Sequence, residues 1–258
     1  MDPIFYIAIV FLLSVLFSFL GMGGAIIYVP LLYWLGMDLL TAITIALLLN
    51  VVTTFSASIT YIKKKMVDFH TAAPFIAASA IAAPFGAFIS QSVPENTTLN
   101  VFSLIVALAG FTIIFSKRIG KSEKGLKASQ KKRLILGISL GLFIGILAGM
   151  LGIGGGTFLV PALLLLGFGI KEAPATSALV VLFSSLFGFL SHIGNLQIDL
   201  FLLVGMGLTA LVGGQIGSRL MYLRHDRLRI FFESYFSRIL GVVLILISIT
   251  IQYSLIGS

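Results

Sequence analysis

Two glycine-rich runs are the strongest chemical signal in the sequence, Gly21-Met22-Gly23-Gly24 and Gly152-Ile153-Gly154-Gly155-Gly156. Each separates two apolar segments, and each leads into a short apolar stretch that contains a proline, Pro30 or Pro161. Glycine permits the tight, partly left-handed backbone that such a turn needs. A helix starting directly after the turn, at Ala25 in one case and at Gly156-Thr157 in the other, offers N–H groups without intrahelical partners and a partial positive charge. Anions bind such ends through the backbone alone. Gly21, Gly23, Gly24 and Ala25, with Gly152, Gly154, Gly155, Gly156 and Thr157, are therefore candidate substrate-binding positions. Pro30 and Pro161 are expected to break the stretches that follow. Neither run is a nucleotide loop: no Gly-Lys-Ser/Thr follows and no strand precedes.

Polar groups at the depth of the apolar segments form a second candidate set. Asn50, Thr53 and Thr54 lie within about one helical turn of each other near the middle of the segment 40–62, so they share a face. A neutral amide and two hydroxyls can coordinate an oxyanion; they can equally make hydrogen bonds between helices. Ser184 and Ser185 stand in the matching places of a later segment, with Val181 opposite Asn50.

Acids and bases are absent from the middle of every segment. Asp68 and Asp199 stand where helices begin, and N-capping accounts for them. His70 and His192 lie near segment ends, where a structural role at the interface is expected. With no cysteine, three histidines and no central carboxylate, no nucleophile, acid–base pair or metal cluster can be assembled. The sequence thus predicts neither an enzyme nor a cofactor.

The elements that must position these residues come in two sets. Sliding the chain against itself by 131 residues aligns the two glycine runs, Val29-Pro30 with Val160-Pro161, and Gly36 with Gly167. Nine of the 17 positions from Leu20 to Gly36 are identical. The first copy reads as apolar segments at 4–20, 24–36, 40–62, 69–90 and 99–116, the second at 134–150, 155–168, 172–193, 198–219 and 238–255. Three units follow: a membrane repeat over 1–116, a basic cytoplasmic linker over 117–133 and a second membrane repeat over 134–258. Gly137, Gly141, Gly145 and Gly149 recur every four residues and suit close helix packing, as do Gly205, Thr209, Gly213 and Gly217 and their counterparts Pro74, Ala78, Ala82 and Gly86.

Composition places these segments in lipid. The chain is 59% apolar, only 10% charged, and its mean hydropathy is +1.13. A soluble domain is about one quarter charged, whereas a bilayer core needs about 20 apolar residues per helical span. All 17 Lys and Arg fall in Lys63 to Lys65, Lys117 to Arg133, Lys171 and Arg219 to Arg238. The net charge of +8 is thus a property of loops, not of a nucleic-acid surface. If the first two segments of each copy form a hairpin that returns to its starting side, each copy crosses an odd number of times and the second is inverted. All 17 cations then share the cytoplasmic side, with both termini outside. If the pair makes a single crossing, the cations split 11 to 6, so the inverted arrangement is expected. The first segment begins Met1-Asp2-Pro3, without a basic region, and reads as a retained span.

At the paired glycine turns with their following prolines, Gly21 to Pro30 and Gly152 to Pro161, the sequence resembles the TauE/SafE family of sulfite and sulfonate exporters, also called 4-toluene sulfonate uptake permeases. The likeness runs from about residue 4 to 255. It fits the fold read from the repeat and the charges: an all-α polytopic protein of two inverted repeats of about five segments, whose glycine-broken hairpins meet near the midplane. It implies alternating-access transport of a small sulfur-containing anion, of the sulfite or sulfoacetate class, across a prokaryotic plasma membrane. The first turn departs from the second at Ala25, where the second has Gly156, so two unequal half-sites are expected. Expected partners are the lipid bilayer and the anion, with a homodimer left open. A passive anion channel on the same scaffold, or a scaffold subunit without a substrate, is also compatible with these residues.

Overall fold

A computed structural model describes residues 3–115, 130–169, 171–195, 199–222 and 226–256. These form ten α-helices and a short 3₁₀ turn, with no strand among the described residues. The helices are α1 (Pro3–Leu20), α2 (Ala25–Trp34), α3 (Leu39–Lys63), α4 (Phe69–Ser92), α5 (Glu95–Phe115), α6 (Gln130–Leu151), α7 (Gly156–Leu165), α8 (Glu172–His192), α9 (Leu200–Tyr222) and α10 (Asp226–Ile256). Seven contain a stretch long and apolar enough to cross a bilayer, namely α3, α4, α5, α6, α8, α9 and α10; the apolar part of α1, Ile4–Leu20, is slightly shorter. The protein is an all-α, multi-pass membrane protein.

The two half-length helices owe their size to residues at both ends. α2 and α7 have 10 residues each, about 15 Å of helix, which is half of a hydrocarbon core. The glycine runs stop the preceding helices. At the far ends Gly36 (φ +93) and Gly167 (φ +88) adopt left-handed backbone. There Met37 N–H donates to the Leu32 carbonyl, and Phe168 N–H to the Leu163 carbonyl, both at about 3 Å. That is a Schellman closure, which glycine makes without steric cost. The prolines do not break these helices, contrary to the expectation for Pro30 and Pro161. Both lie inside continuous helix: each is the sixth helical residue, and each removes one N–H donor without ending the turn. The interruptions belong to the glycines.

Helix starts follow the expected capping. The Asp68 carboxylate accepts from the His70 and Thr71 N–H groups at 3.0 and 3.1 Å, and Asp199 accepts from Phe201 N–H at 2.9 Å. Asp38 does the same for Thr41 at 3.2 Å, opening α3. Most of the linker 117–133 lies outside the described residues, although α6 already begins at Gln130. The segment Arg219 to Arg238 is not all loop, because α10 runs unbroken from Asp226; a charged sequence can remain helical beyond the apolar stretch.

Packing is exchanged pairwise between the two copies. α1 packs on α9, and the counterpart α6 packs on α4; α3 packs on α9 and α8 on α4; α2 lies on α3 and α7 on α8; α3 meets α8, and α5 meets α10. The closest approaches repeat in detail. A methyl group built on Gly86 would sit 2.2 Å from the Ile146 carbonyl oxygen, and one on Gly217 would sit 2.1 Å from that of Val15, the equivalent position. Gly110 and Gly241, equivalents of each other, meet directly. Equivalent positions of the two copies thus make equivalent contacts. The ridge Gly137, Gly141, Gly145 and Gly149 lies flush against Pro74, Phe75, Ser79 and Ala83 of α4, leaving no room for a side chain. Association in lipid depends on such backbone contact, since burying apolar groups there supplies no hydrophobic drive. The outward faces carry large apolar groups such as Phe85, Phe88 and Leu200, all well over half exposed.

Candidate substrate site

The two glycine turns touch at the centre of the bundle. Residues 20–26 and 151–157 are all buried, and a methyl group on Gly156 would lie 2.0 Å from the Met22 carbonyl oxygen. Each turn also leans on the opposite half: the first glycine of one, Gly21, abuts Pro174 of α8, and its equivalent Gly152 abuts Ile43 of α3, the position equivalent to Pro174. Left-handed backbone at Gly23 (φ +70) and Gly154 (φ +70) would be strained by about 1–2 kcal/mol in another residue.

Both turns converge on the midpoints of α3 and α8. A methyl group on Gly23 would sit 2.4 Å from Asn50 Oδ1 and 2.9 Å from Val181 Cγ1; one on Gly154 would sit 2.3 Å from Asn50 Nδ2 and 2.9 Å from Ser185 Oγ. Asn50 Nδ2 donates to Ser185 Oγ at 2.7 Å, and Ser184 Oγ donates to the Gly154 carbonyl at 3.1 Å. Asn50 and Val181 are repeat equivalents, so one position supplies an amide and the other an isopropyl group to the same spot.

The helix starts are uncapped. Gly24 and Gly155 precede α2 and α7, and no side chain bonds either end. The first helical bonds run from Ile27 and Tyr28 to the Gly24 carbonyl, and from Phe158 and Leu159 to that of Gly155. The N–H groups of Ala25 and Ile26, and of Gly156 and Thr157, therefore lack intrahelical acceptors. Two side-chain atoms here are buried without a partner, Asn50 Oδ1 and Thr157 Oγ1, on residues that are 0% and 1% exposed. A buried polar atom left unpaired costs about 1–3 kcal/mol, a cost that a bound ligand can relieve.

Not every expected residue joins this centre. Thr54 Oγ1 donates back to the Asn50 carbonyl at 2.6 Å within α3. Thr53 turns towards α1, donating to Ser14 Oγ at 3.3 Å, and Ser14 lies 2.8 Å from the Tyr28 hydroxyl. Tyr28 stacks its ring edge under Gly24. Sequence reasoning missed Tyr28 and Ser14. The signal for Tyr28 was available, a phenol buried in a ten-residue apolar helix. Val181 was marked only as the repeat counterpart of Asn50; its place beside Gly23 is set by the tertiary structure.

Above and below the centre, one bond is duplicated. The Tyr61 hydroxyl donates to the Ser18 carbonyl at 2.5 Å, and His192 Nε2 lies 2.6 Å from the Gly149 carbonyl. Tyr61 and His192 are equivalents, as are Ser18 and Gly149. Each bond ties the end of a long helix to the residue three before a glycine turn begins. His192, at the end of α8, is fully buried within the protein, with Asn195 Nδ2 and Gln91 Nε2 near its Nδ1.

Comparison with known proteins agrees with this architecture. The family model described as "Sulfite exporter TauE/SafE" matches residues 6–251. The chain is 28% identical over 223 residues to the "Probable membrane transporter protein YunE" of Bacillus subtilis (strain 168), covering 78% of this chain and 82% of the relative. It is 23% identical over 215 residues to "Probable membrane transporter protein YdhB" of the same organism, covering 83% and 88%. No solved structure gives a significant match. The chain belongs to the TauE/SafE family, and it is a membrane transporter.

Proposed function

We propose that this TauE/SafE transporter moves a small sulfur-containing oxyanion or organosulfonate across a prokaryotic plasma membrane, holding it between the two glycine turns. The observation that carries the reading is that the two glycine turns, each opening an uncapped helix, meet at one amide, Asn50, whose Oδ1 is buried and unpaired. Backbone donors at helix ends stabilise anions without trapping them in a full ion pair. Half-length helices meeting at a repeat interface are where secondary transporters bind their cargo.

The two copies lie inverted in the bilayer, the basic segments face the cytoplasm and both termini lie outside. Alternating access follows from that arrangement. The occluded centre, in which both turns are buried, favours a carrier over an open channel. In this reading the paired bonds Tyr61–Ser18 and His192–Gly149 act as the two opposite gates.

The test is anion flux in proteoliposomes. Asn50→Leu keeps the branched shape of the side chain and removes the amide. Flux of sulfite should drop at least about tenfold, equivalent to about 1.4 kcal/mol, while the variant remains monodisperse and folded. Wild-type flux in that variant would remove the site from the centre. A cysteine introduced by Ser258→Cys should react with an impermeant thiol reagent in intact cells; protection there would overturn the orientation.

A further inference from the structure

Five buried side-chain atoms find no hydrogen-bond partner among the described residues: Asn50 Oδ1, Ser58 Oγ, Thr98 Oγ1, Thr157 Oγ1 and Ser177 Oγ. Thr98 belongs to α5, whose main partner is α10. The other four lie on α3, α7 and α8, and each faces an apolar residue at the equivalent place in the other copy. Val181 answers to Asn50, Phe189 to Ser58, Ile26 to Thr157 and Ala46 to Ser177. Val181, Ile26 and Ala46 are themselves fully buried. The same scaffold therefore packs without these polar groups. Hydroxyls that both copies keep behave differently: Thr53 and Ser184, and Thr54 and Ser185, are all hydrogen-bonded. The shared hydroxyls serve the fold. A serine in a helix can also satisfy itself on the carbonyl of the preceding turn, and Ser177 does not.

Ser177 stands at the first glycine turn. On α8, Pro174 abuts Gly21 and Val181 abuts Gly23, so Ser177, between them, borders Met22. It shares its side of the helix with Ser184, whose hydroxyl reaches the Gly154 carbonyl. Met22 in turn touches Gly156, the residue before Thr157. Ser177 and Thr157 thus approach one stretch of backbone from two helices, and Asn50 meets it at Gly23. Ala46 holds the equivalent place beside the second turn, where Gly152 abuts Ile43 and Gly154 abuts Asn50. The arrangement is lopsided along the bundle. Ser177 precedes Val181 by four residues, about 6 Å, towards the start of α8. Ser58 follows Asn50 by eight residues, about 12 Å, in the same direction, since Ala57 and Tyr61 of α3 pack with Ala175 and Ala178 of α8. That end carries Lys63 to Lys65 and Lys171. Towards the opposite end Thr41, Thr44, Ser191 and His192 are all engaged in hydrogen bonds.

We propose, resting on the reading of the centre as the anion site, that Ser177 is a substrate ligand. The anion sits off-centre against the first turn, on the side of the basic segments, held by Ser177, Thr157 and Asn50. Each gives a neutral donor to an oxygen of the anion, two hydroxyls and an amide. Asn50 donates without losing Ser185, because a serine hydroxyl both donates and accepts. A half-turn of the amide points Nδ2 at the anion and Oδ1 at Ser185. With the anion bound, none of the three side chains is left unpaired. The equivalent place beside the second turn is apolar, so the anion has one resting position and not two. Ser58 lies too far along α3 to touch the same anion.

The experiment uses purified full-length protein in proteoliposomes and in detergent, with sulfite as the probe. In Ser177→Ala the KM for sulfite flux should rise about tenfold, while the maximal rate stays within about twofold. The ligand-free variant should unfold at the wild-type temperature or slightly above, since alanine is what the other copy carries there, and sulfite should raise that temperature less than it does in the wild type. Adding Ala46→Ser, which moves the hydroxyl to the second turn, should not restore the KM. An unchanged KM, a lowered unfolding temperature of ligand-free Ser177→Ala, or recovery by Ala46→Ser overturns the assignment. Diminished flux in Asn50→Leu beside any of these leaves the central site standing without Ser177. Undiminished flux in Asn50→Leu overturns the central site, and the role of Ser177 with it.

Discussion

The seam between α1, α3 and α9 and its equivalent between α6, α8 and α4 are built on one plan from different chemistry. In the first, Ser14 and Ser18 of α1 face α9, and Ser18 Oγ donates to the Gly214 carbonyl at 2.6 Å. Ser56 and Thr60 of α3 bond the Leu211 carbonyl, Gln215 and Ser218 at 2.7–3.4 Å. In the second seam the same positions hold Gly145, Gly149, Phe187 and Ser191, opposite Ala83, Pro84 and Ala87. There the helices close by backbone contact: a methyl group on Gly149 would meet the Ala83 carbonyl oxygen at 1.9 Å. Both seams pack glycine on backbone, Gly217 on Val15 in the first and Gly149 on Ala83 in the second. The first adds hydroxyl bonds between its helices, and the second has glycines on both α6 and α4. Hydroxyl contacts can be exchanged for others during a movement, whereas close glycine packing requires the helices to travel together. The α4–α6 pair is accordingly expected to move as a block, and the α1–α3–α9 seam to rearrange.

Substitutions that exchange the two chemistries test that contrast. The largest effect is expected for Gly149→Ser, which installs the first seam's residue in the second. The added atoms collide with backbone that cannot yield, and overpacking of this kind costs about 1–3 kcal/mol or more; unfolding in detergent should shift accordingly, whereas Ser18→Gly should cost less. If Gly149→Ser is neutral, the close packing of α4 on α6 is not what separates the halves.

His192→Leu comes next, at about 2 kcal/mol, because the Gly149 carbonyl is left buried without its donor. Its counterpart Tyr61→Phe should cost about 1 kcal/mol. The same measurement reads both, and equal or reversed costs would show that the duplicated bonds do not differ as their chemistry suggests. Tyr28→Phe removes the hydroxyl from the Ser14 and Thr53 cluster, which has no counterpart because Leu159 and Gly145 occupy the equivalent places. A loss of about 1 kcal/mol is expected, with anion flux altered less than in Asn50→Leu. The smallest effect belongs to Gly207→Ala. Nothing lies within 4 Å of the added methyl, and the change should stabilise α9 by about 0.4–1 kcal/mol, seen as a slightly raised unfolding temperature.

Much of the fold was legible because lipid imposes simple rules. Apolar stretches of fixed length marked the spans, aspartates marked the starts of α4 and α9, and the glycine runs marked the ends of α1 and α6. The prolines misled, since a proline within a short helix removes a donor without stopping the chain, and glycine was the actual breaker. The site was legible in part. Gly23, Gly154, Asn50 and Ser185 come together, while Thr54 bonds its own helix and Thr53 serves a cluster around Tyr28 that no local pattern announced.

By itself the sequence determined how many helices there are, which two are half-length, and which positions in the two copies are equivalent, since each is a local property or an alignment of the chain with itself. Only the tertiary structure decided which equivalent positions face each other. Asn50 bonds Ser185 and borders Val181, and the glycine of one turn rests on the carbonyl of the other, across more than a hundred residues of chain. Helices in lipid carry no hydrophobic stripe to aim them at a partner; the aim comes from the fit of backbone surfaces, and that fit exists only when both halves are in place.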